Sequence, residues 1–515
     1  MVKKMISQLS ALAVLIVFLA ACSKQSEYTN VIPSDASAVA AIDLKSLIDK
    51  AGLNDKENEA AKQKVLDALK SGMNAATFQQ LEKVIKSPSE SGIDVGSPFY
   101  IFTSPTFPYP TVVAKINNED DLNSSLDIML KEQLIQPITE TEDYRFTTMN
   151  GSLIAFNNSA IMIVAVNGHT QTEEAKKAIG NLMKQTPDSS IVKSAAFQRV
   201  IKAKNDINFF VSMMATPKKY REPVSLALPP NIKLEDITLL GGLNFEKGRI
   251  VLKTENYTEN DEAKALIKKQ QEAFKKSNNA FTKYFPASTL MFFNAGVNGE
   301  AIYNIINENA EFRDQVSIAK AAEIKDLFSS FNGDISGGLI NVTMTSMPTF
   351  AAYAEMKNGS ALEALYKNKQ NLGLKKGEDI IELGKNEYVY KTKNMNVFFG
   401  VKDKFMYVTN DELLYKNIGK TEDKSIKDTP YASGMKDKNM FIAVNVEAIL
   451  DLPIVKMVTG FGGKEAKTYF DLASQISYLS SSSESEVNEV ALCLKDKNVN
   501  ALKQIVDSAK QFAGM

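Results

Sequence analysis

The sequence predicts an α+β protein made of two related lobes, each a mainly antiparallel sheet with packed helices. Three observations lead to this fold class. Strand-like segments follow one another at turn-sized intervals, amphipathic helical segments stand between groups of strands, and regular alternation of strand and helix is missing. Chains rich in hairpins build antiparallel sheets, whereas a parallel sheet needs a long crossover between neighbouring strands.

A short apolar segment opens the chain. Lys3 and Lys4 precede an apolar run, Leu9–Leu19, which only Ser10 interrupts. A positive start followed by an apolar run of this length is typical of a secretory signal. A membrane-spanning helix needs about 20 apolar residues, so this run is too short to be a comfortable span. We therefore expect residues 1–21 to be a signal peptide.

A cysteine follows the apolar run. Leu19, Ala20, Ala21 and Cys22 together resemble the bacterial lipobox. This resemblance implies cleavage between Ala21 and Cys22, attachment of diacylglycerol to the Cys22 thiol, and acylation of the new amine. An ordinary secretory signal, or a membrane-anchored helix, with a cysteine nearby by chance is the alternative. Because more than one acyl chain gives stable anchoring, we expect a membrane-anchored protein with residues 22–30 as a polar tether.

Hydrophobic periodicity predicts the elements that follow. The strand-like "SAVAAI" passes into a helix at "DLKSLIDK", and "ATFQQLEKVIKS" predicts another helix. The acids of "NNEDDLNSSLD" suit the positive end of a helix, with a calcium site as the alternative. Apolar spacing also predicts a helix that closes the first lobe, through Ala263, Leu266, Ile267, Gln270 and Phe274. Its counterpart near the C-terminus is "NALKQIVDSAKQF".

Two aromatic residues stand in a proline-rich stretch. The segment "SPTFPYPT" places Phe107 and Tyr109 among three prolines. Proline stiffens the backbone, and the favoured interpretation is a rigid connection whose rings pack on their own lobe. The alternative is a binding lip on which both rings are candidate ligand-facing aromatics.

The two halves of the sequence resemble each other. Tyr144–Val164 aligns without a gap with Tyr388–Val408, at an offset of 388 − 144 = 244, and each segment predicts three strands joined by two turns. Other matches keep the same order, including one in which Asn205 faces Asn439. Matches in a conserved order indicate an internal duplication, and chance similarity of generic strand-turn-strand patterns is the alternative. The predicted lobes cover residues 31–283 and 284–515.

Composition limits the classes of function. The 60 basic and 61 acidic residues nearly cancel, whereas a nucleic-acid-binding protein should show a basic excess. The mature chain of 515 − 21 = 494 residues is long enough for two or more domains. Lipidation of Cys22 would leave Cys493 without an intramolecular disulfide partner. Since Cys493 stands in a strand-like segment, we expect a buried, unreactive thiol.

Catalytic motifs are missing from the sequence. His169 is the only histidine and follows a turn dipeptide, so we expect an exposed loop residue. One histidine and one free cysteine cannot build a typical transition-metal site, and no phosphate-binding glycine loop is present. No carboxylate pair stands out among the 61 acids. We therefore expect no enzymatic activity, no catalytic residue, no cofactor and no metal.

Two motifs resemble a known family. Ile32–Leu53, "IPSDASAVAAIDLKSLIDKAGL", and Gly92–Phe102, "GIDVGSPFYIF", resemble a family of uncharacterised envelope lipoproteins from Bacteroides-type bacteria. That family is catalogued as a domain of unknown function, so no catalytic residue can be transferred from it. In that group, acidic residues directly after the lipidated cysteine accompany surface export. Here Glu27 is the only acid among residues 23–30, and four residues separate it from Cys22, which favours the periplasmic face of the outer membrane.

The leading hypothesis is a non-enzymatic lipoprotein of the cell envelope. It would bind or scaffold an unidentified protein or glycan partner, through a groove between the lobes. One alternative is a histidine-independent hydrolase of glycans or peptidoglycan, which needs two carboxyl groups about 5–9 Å apart in a cleft. Another is a ligand carrier with an apolar cavity lined by Phe and Met.

Overall fold

The structure, a computed structural model, describes residues 27–513 except 57–58, 60–62, 64–65, 68–69, 71–74, 167, 220, 222–227, 229–231, 309–317, 345 and 358. The predicted signal peptide, its cleavage position at Ala21 and the lipidation position Cys22 lie outside the described residues. Two compact units make up the described chain. Unit 1 holds the residues up to Leu228, Lys233–Lys247 and those from Val499 onward, and unit 2 holds Ile232 and Gly248–Asn498.

Unit 1 is built on an antiparallel sheet. Its described strands are β1 (Ala38–Ile42), β2 (Ile93–Asp94), β3 (Phe99–Thr103), β4 (Thr111–Ile116), β5 (Thr139–Glu140), β6 (Arg145–Met149), β7 (Ser152–Phe156), β8 (Ala160–Ala165), β9 (Ile207–Ser212) and β10 (Thr238–Glu246). The strand order is β5-β6-β7-β8-β4-β3-β1-β9-β10, and β2 pairs with one end of β4. Side chains alternate across β1, where Val39 and Ala41 are buried, as one packed face of an antiparallel sheet requires.

Helices cover part of this sheet. Those described before residue 228 are α1 (Leu44–Lys50), α2 (Ala75–Lys86), α3 (Glu119–Lys131), α4 (Gly168–Met183) and α5 (Ala195–Lys202). The Asp43 side chain accepts a hydrogen bond from the Ser46 backbone N–H and so caps α1. Asn118 caps α3 in the same way, and Leu122 and Leu126, four residues apart, bury one face of α3 in the core. Capping and apolar spacing therefore place both helices where the sequence predicts them.

Unit 2 also contains an antiparallel sheet. Its described strands are β11 (Arg249–Tyr257), β12 (Phe274–Lys275), β13 (Met291–Asn298), β14 (Phe331–Asn341), β15 (Thr349–Met356), β16 (Asp379–Gly384), β17 (Glu387–Lys391), β18 (Asn396–Lys402), β19 (Phe405–Thr409), β20 (Met440–Asn445), β21 (Ile476–Glu484) and β22 (Val487–Leu494). Their order is β16-β17-β18-β19-β15-β14-β13-β20-β21-β22-β11, with β12 beside β13. The predicted α+β class with antiparallel sheets is confirmed.

The helices of unit 2 alternate with groups of these strands along the chain. Those described are α6 (Asp261–Glu272), α7 (Gly299–Glu308), α8 (Ile318–Ser330), α9 (Ser360–Lys367), α10 (Glu412–Lys416), α11 (Val446–Asp451), α12 (Pro453–Phe461) and α13 (Gly463–Ala473). The core of the unit is rich in aromatic rings, and Phe285, Phe292 and Tyr353 lie in contact at its centre. Helix α6 ends earlier than its apolar spacing predicts, because Phe274 pairs with Val297 as part of β12.

The last helix, α14 (Ala501–Ala513), belongs to unit 1, where it packs on α1 and β10. Strand β11 belongs to unit 2, where it pairs with β22 over seven residues from Arg249 to Glu255. The compact units therefore divide between Lys247 and Gly248, whereas the predicted lobes divide between residues 283 and 284. The first division follows contacts within the folded chain, and the second follows the repetition in the sequence. The lobes therefore remain a prediction.

The two sheets share one strand order. The order from β5 to β10 in unit 1 matches the order from β16 to β21 in unit 2, strand for strand. Registers agree at the centre: Ala38 pairs with Thr103 and Val211, and Met291 pairs with Leu339 and Val444. A shared order is what a duplication predicts, although the duplication itself remains a prediction.

The structure also refines the alignment of the two halves. The hairpin loop 150–151 corresponds to 392–395, and the next loop, 157–160, corresponds to 403–404. The first loop is two residues longer in unit 2 and the second is two residues shorter, and the strand between them is longer in unit 2, Asn396–Lys402 against Ser152–Phe156.

The polar tether ends sooner than predicted. Residues Glu27–Val31 form a 3-10 helix in which Tyr28 and Val31 are buried, and the Tyr28 hydroxyl donates a hydrogen bond to the carbonyl oxygen of Pro98 at 2.9 Å. Burial of Tyr28 and Val31 draws this segment into unit 1. Residues 27–30 are therefore part of the fold and not of the predicted tether, 22–30.

Candidate functional site

A cavity of about 350 Å³ lies in unit 1, lined mainly by residues of β1, α1, α5, β9 and β10. Asp43, Lys50, Lys204 and Asp206 bring ionisable groups to its wall, and Asn205, Asn208 and Asn244 bring amides. The lining contains neither Phe nor Met, so this cavity does not fit the expectation of an apolar ligand carrier.

Asp206 forms the centre of the hydrogen bonds around the cavity. Its side chain is 3% exposed, and both of its carboxylate oxygens lie 2.7 Å from Lys50 Nζ. Ser46 Oγ donates to Asp206 Oδ1 at 2.6 Å, and the backbone N–H of Phe245 donates to Oδ2 at 2.7 Å. The carboxylate therefore fastens α1 and β10 to the start of β9.

The amides continue this network. Asn205 Nδ2 donates to Asn208 Oδ1, and Asn244 Nδ2 donates to Asn205 Oδ1, both at 2.6 Å. Asn208 Nδ2 donates in turn to the carbonyl oxygens of Ala203 and Asn205. Mutual hydrogen bonds of this kind are how buried polar groups avoid the cost of losing water. The arrangement can hold elements together, and its amides already have partners within the protein.

The two acids of the cavity are likewise engaged. Asp43 caps α1 and Asp206 binds Lys50. A glycosidase needs one carboxyl group to donate a proton and another to attack or to activate water. Here each carboxylate has a structural partner on α1.

The predicted ligand-facing aromatics differ in their surroundings. Phe107 is 2% exposed, and its ring lies 6.2 Å from that of Phe102 and 5.1 Å, edge-on, from that of Tyr109. A ring enclosed in this way cannot form the surface of a binding lip, so Phe107 is not a ligand-facing aromatic and packs as the favoured interpretation of this stretch predicts. Tyr109 is half-buried, and its hydroxyl lies 3.2 Å from Glu174 Oε2. The stretch packs on its own unit because the apolar Phe107 ring is buried there.

Other expectations concern the histidine, the thiol and metals. His169 is the second residue of α4 and so lies in a helix, not in a loop. Cys493 is buried on β22, and burial raises the pKa of its thiol. Among the residues that the structure describes, no group of three or more His, Cys, Asp or Glu side chains could hold a metal ion.

The motif "GIDVGSPFYIF" has a structural role in unit 1. Asp94 is 1% exposed and accepts hydrogen bonds from Lys115 Nζ at 2.7 Å and from the Gly96 backbone N–H at 3.0 Å. Gly92 has φ +82°, and a Cβ there would lie 2.3 Å from the Leu122 nitrogen and 2.3 Å from the Asn118 carbonyl oxygen. Only glycine fits so close an approach of α3 at this backbone conformation.

An exposed apolar surface lies on α12 and α13 of unit 2, which pack on each other. Helix α12, "PIVKMVTGF", contains no buried residue. Val458 is 62%, Phe461 87% and Tyr469 72% exposed, and Met457 and Leu472 are also exposed. Sequence reasoning missed this surface, because an apolar nine-residue segment looks like a core element until its surroundings are known. We call Pro453–Ala473 the apolar helix pair.

Within the described ranges, no helix is both long enough and apolar enough to cross a membrane.

The chain is similar to two solved structures, titled crystal forms I and III of TP0453. Form I shows 9% identity and a TM-score of 0.25, covering 48% of this chain and 87% of that chain. Form III shows 9% identity and a TM-score of 0.26, covering 48% and 88%. No curated protein matches the chain. Residues 28–502 match the family model described as Domain of unknown function (DUF4836), and the chain therefore belongs to that family.

Proposed function

We propose that this chain is a lipid-anchored protein of the cell envelope that binds a partner and catalyses no reaction. One observation carries the proposal: Leu19, Ala20, Ala21 and Cys22 follow an apolar segment of signal-peptide length. Two or more acyl chains on Cys22 would hold the protein at a bilayer. The near absence of acids after Cys22 favours the periplasmic face of the outer membrane, as in envelope lipoproteins of Bacteroides-type bacteria.

The start of the fold supports close attachment. Tyr28 is buried in unit 1. At most residues 22–27 would then separate the lipid from the folded chain, and six extended residues span at most about 22 Å. Unit 1 would therefore be held next to the membrane rather than on a long stalk.

Binding rather than catalysis is favoured by the chemistry of the cavity. Its acids and amides are hydrogen-bonded to one another and to backbone groups, an arrangement that holds secondary structure together. A hydrolase would need two carboxyl groups directed at a substrate. Asp43 and Asp206 instead bind groups of α1, so the hydrolase stays the second hypothesis and has no supporting contact.

Mass spectrometry of the N-terminal peptide tests the anchoring. The protein is purified with detergent from membranes of its natural host, digested, and compared with Cys22→Ser and Cys493→Ser variants. We expect the native chain and Cys493→Ser to begin at Cys22 with added acyl mass, and Cys22→Ser to retain residues 1–21. An unmodified peptide across the Ala21–Cys22 bond in mature native material would refute the proposal.

Binding is tested on the same detergent extract. Crosslinking before extraction, followed by identification of the crosslinked species, should reveal a recurring partner of the native chain. Thermal unfolding with glycan and peptidoglycan fragments separates binding from hydrolysis, because the fragments are analysed for cleavage after each measurement. Cleavage without a partner would favour the hydrolase.

A further inference from the structure

The apolar helix pair exposes large side chains that usually lie in a protein core. Phe461 is 87% exposed and stands next to the turn between α12 and α13, where Gly463 has φ +71°. Val458 and Tyr469 are 62% and 72% exposed. Burying one large apolar side chain stabilises by about 1.5–3 kcal/mol. A cluster of such residues left in water therefore indicates a surface that another phase or molecule covers.

We propose that the apolar helix pair rests in the interfacial region of a lipid bilayer, with the Phe461 ring among the acyl chains. The inference rests on the proposed function for the presence of a bilayer beside the protein. Helix α12 spans only Pro453–Phe461. A transmembrane helix needs about 20 residues, so this pair would lie in the interface without crossing the membrane.

Charge around the tip suits a bilayer surface. The apolar helix pair, Pro453–Ala473, contains three lysines, one glutamate and one aspartate, a net charge of 3 − 2 = +1. One of these lysines, Lys456, pairs with Asp451 at 3.0 Å, at the end of the pair away from Phe461. Basic residues beside an apolar surface favour anionic headgroups. The long apolar stem of a lysine also lets its ammonium group stay in the headgroup layer.

The side-chain types agree with this occupant. Phe461, Val458 and Met457 carry no polar group, whereas Tyr469 carries a hydroxyl on an exposed ring. Rings with a polar edge are enriched where headgroups meet acyl chains. A protein partner would need a matching groove, but a bilayer accepts any apolar tip of this size.

A fluorescent probe at the tip tests the inference on the full chain. The Phe461→Cys variant in a Cys493→Ser background is purified from membranes and labelled with NBD. The labelled protein is then reconstituted into vesicles of phosphatidylethanolamine and phosphatidylglycerol at a 3:1 molar ratio. Leu413→Cys is the matched control, because Leu413 is 70% exposed on α10 of the same unit. We expect NBD at position 461 to shift to the blue and to be quenched by nitroxide lipids, and NBD at position 413 to show neither change.

Two results would overturn the inference. One is NBD emission at position 461 that stays at the wavelength seen in water with vesicles present. The other is a blue shift without vesicles that grows with protein concentration, which would identify a second copy of this chain as the occupant. The mass of the Cys22 peptide from the same preparation shows separately whether the chain is lipidated. Failure of the anchor and failure of the helix pair are therefore distinguishable.

A substitution gives a second measurement. Phe461→Ser is expected to weaken vesicle binding of unlipidated chain by roughly tenfold, since loss of one fully transferred large apolar side chain corresponds to at least that factor. Leu413→Ser should leave vesicle binding unchanged. Because both side chains are exposed, neither variant should unfold. Equal binding by the Phe461→Ser variant and the native chain would contradict the inference.

Discussion

Removal of the Asp206 carboxylate should lower the free energy of local opening in unit 1. In Asp206→Ala, Lys50 Nζ loses two contacts of 2.7 Å, Ser46 Oγ loses one of 2.6 Å, and the backbone N–H of Phe245 loses one of 2.7 Å. These donors lie on α1 and at the end of β10. We expect α1 and the first residues of β9 to open more often than in the native chain.

The magnitude follows from the burial of the two charges. Breaking a buried ion pair by removing one partner costs about 3–5 kcal/mol. The Lys50 side chain is 31% exposed and that of Asp206 is 3% exposed, so water can hydrate part of the ammonium group. We therefore expect a loss of about 2–3 kcal/mol in the free energy of opening for Asp206→Ala.

Asp206→Asn should lower the free energy of opening less than Asp206→Ala does, and the equivalent position in unit 2 shows why. The carbonyl oxygen of Asp206 accepts from the Asp43 N–H at 2.8 Å, and the carbonyl oxygen of Asn439 accepts from the Gly296 N–H at 2.9 Å. Asn439 Oδ1 also accepts a backbone N–H, as Asp206 Oδ2 does. Asp206, rather than the predicted Asn205, therefore corresponds to Asn439. An amide keeps the backbone hydrogen bond and loses the charge, a cost of about 1–2 kcal/mol.

Hydrogen exchange measured by mass spectrometry is the appropriate assay, because two units need not unfold in one step. Peptides that cover α1 and β9 report the free energy of local opening. Asp188→Ala is the control, since the Asp188 and Lys193 side chains of its ion pair are 79% and 66% exposed. Exchange in Asp206→Ala that matches exchange in Asp188→Ala would refute the reasoning.

Three further predictions follow from single residues. Gly92→Ala should destabilise unit 1 by at least about 2 kcal/mol, because a Cβ would lie 2.3 Å from the Leu122 nitrogen at a φ of +82°; hydrogen exchange in peptides that cover β2 and α3 measures the loss. Burial alone would raise the pKa of Asp94, but the hydrogen bond from Lys115 and its other hydrogen bonds lower that pKa below its ordinary value. The stabilisation is therefore present above the unfolded pKa of about 3.9 and lost as the pH falls through the folded value, so urea midpoints of native chain and Asp94→Asn should converge below about pH 4. Cys493, whose thiol pKa is raised by burial, should react with a thiol reagent such as DTNB only after denaturation.

Each of these has a matched comparison. Gly151→Ala shares the φ of +82° but meets no atom closer than 3.9 Å, so equal losses in the Gly151 and Gly92 variants would rule out the close approach as the cause. Midpoints that stay equally far apart at every pH would contradict the role of the Asp94 charge. Leu413→Cys supplies an exposed thiol for Cys493, and equal labelling rates at the two positions would show that Cys493 is accessible.

Local chemistry allowed several elements to be predicted. The strand β1 and helix α1 were predictable because the cap at Asp43 and the alternation before it involve residues within a few positions of one another. The antiparallel character followed from closely spaced turns. The polar network around Asp206 was not predictable, because Lys50 lies 156 residues away in the chain. No periodicity in sequence encodes such a pairing.

The sequence by itself determined the fold class, the positions of capped helices, and the segment Leu19–Cys22 whose resemblance to a lipobox underlies the proposed location. Only the tertiary structure decided which apolar residues are buried. Phe107, one of the candidate ligand-facing aromatics, is enclosed, and Phe461, in an apolar segment, is exposed. The tertiary structure also assigned α14 to unit 1. The physical reason is that hydrogen bonds within a turn depend on neighbouring residues, whereas burial depends on which distant segments arrive to cover a side chain.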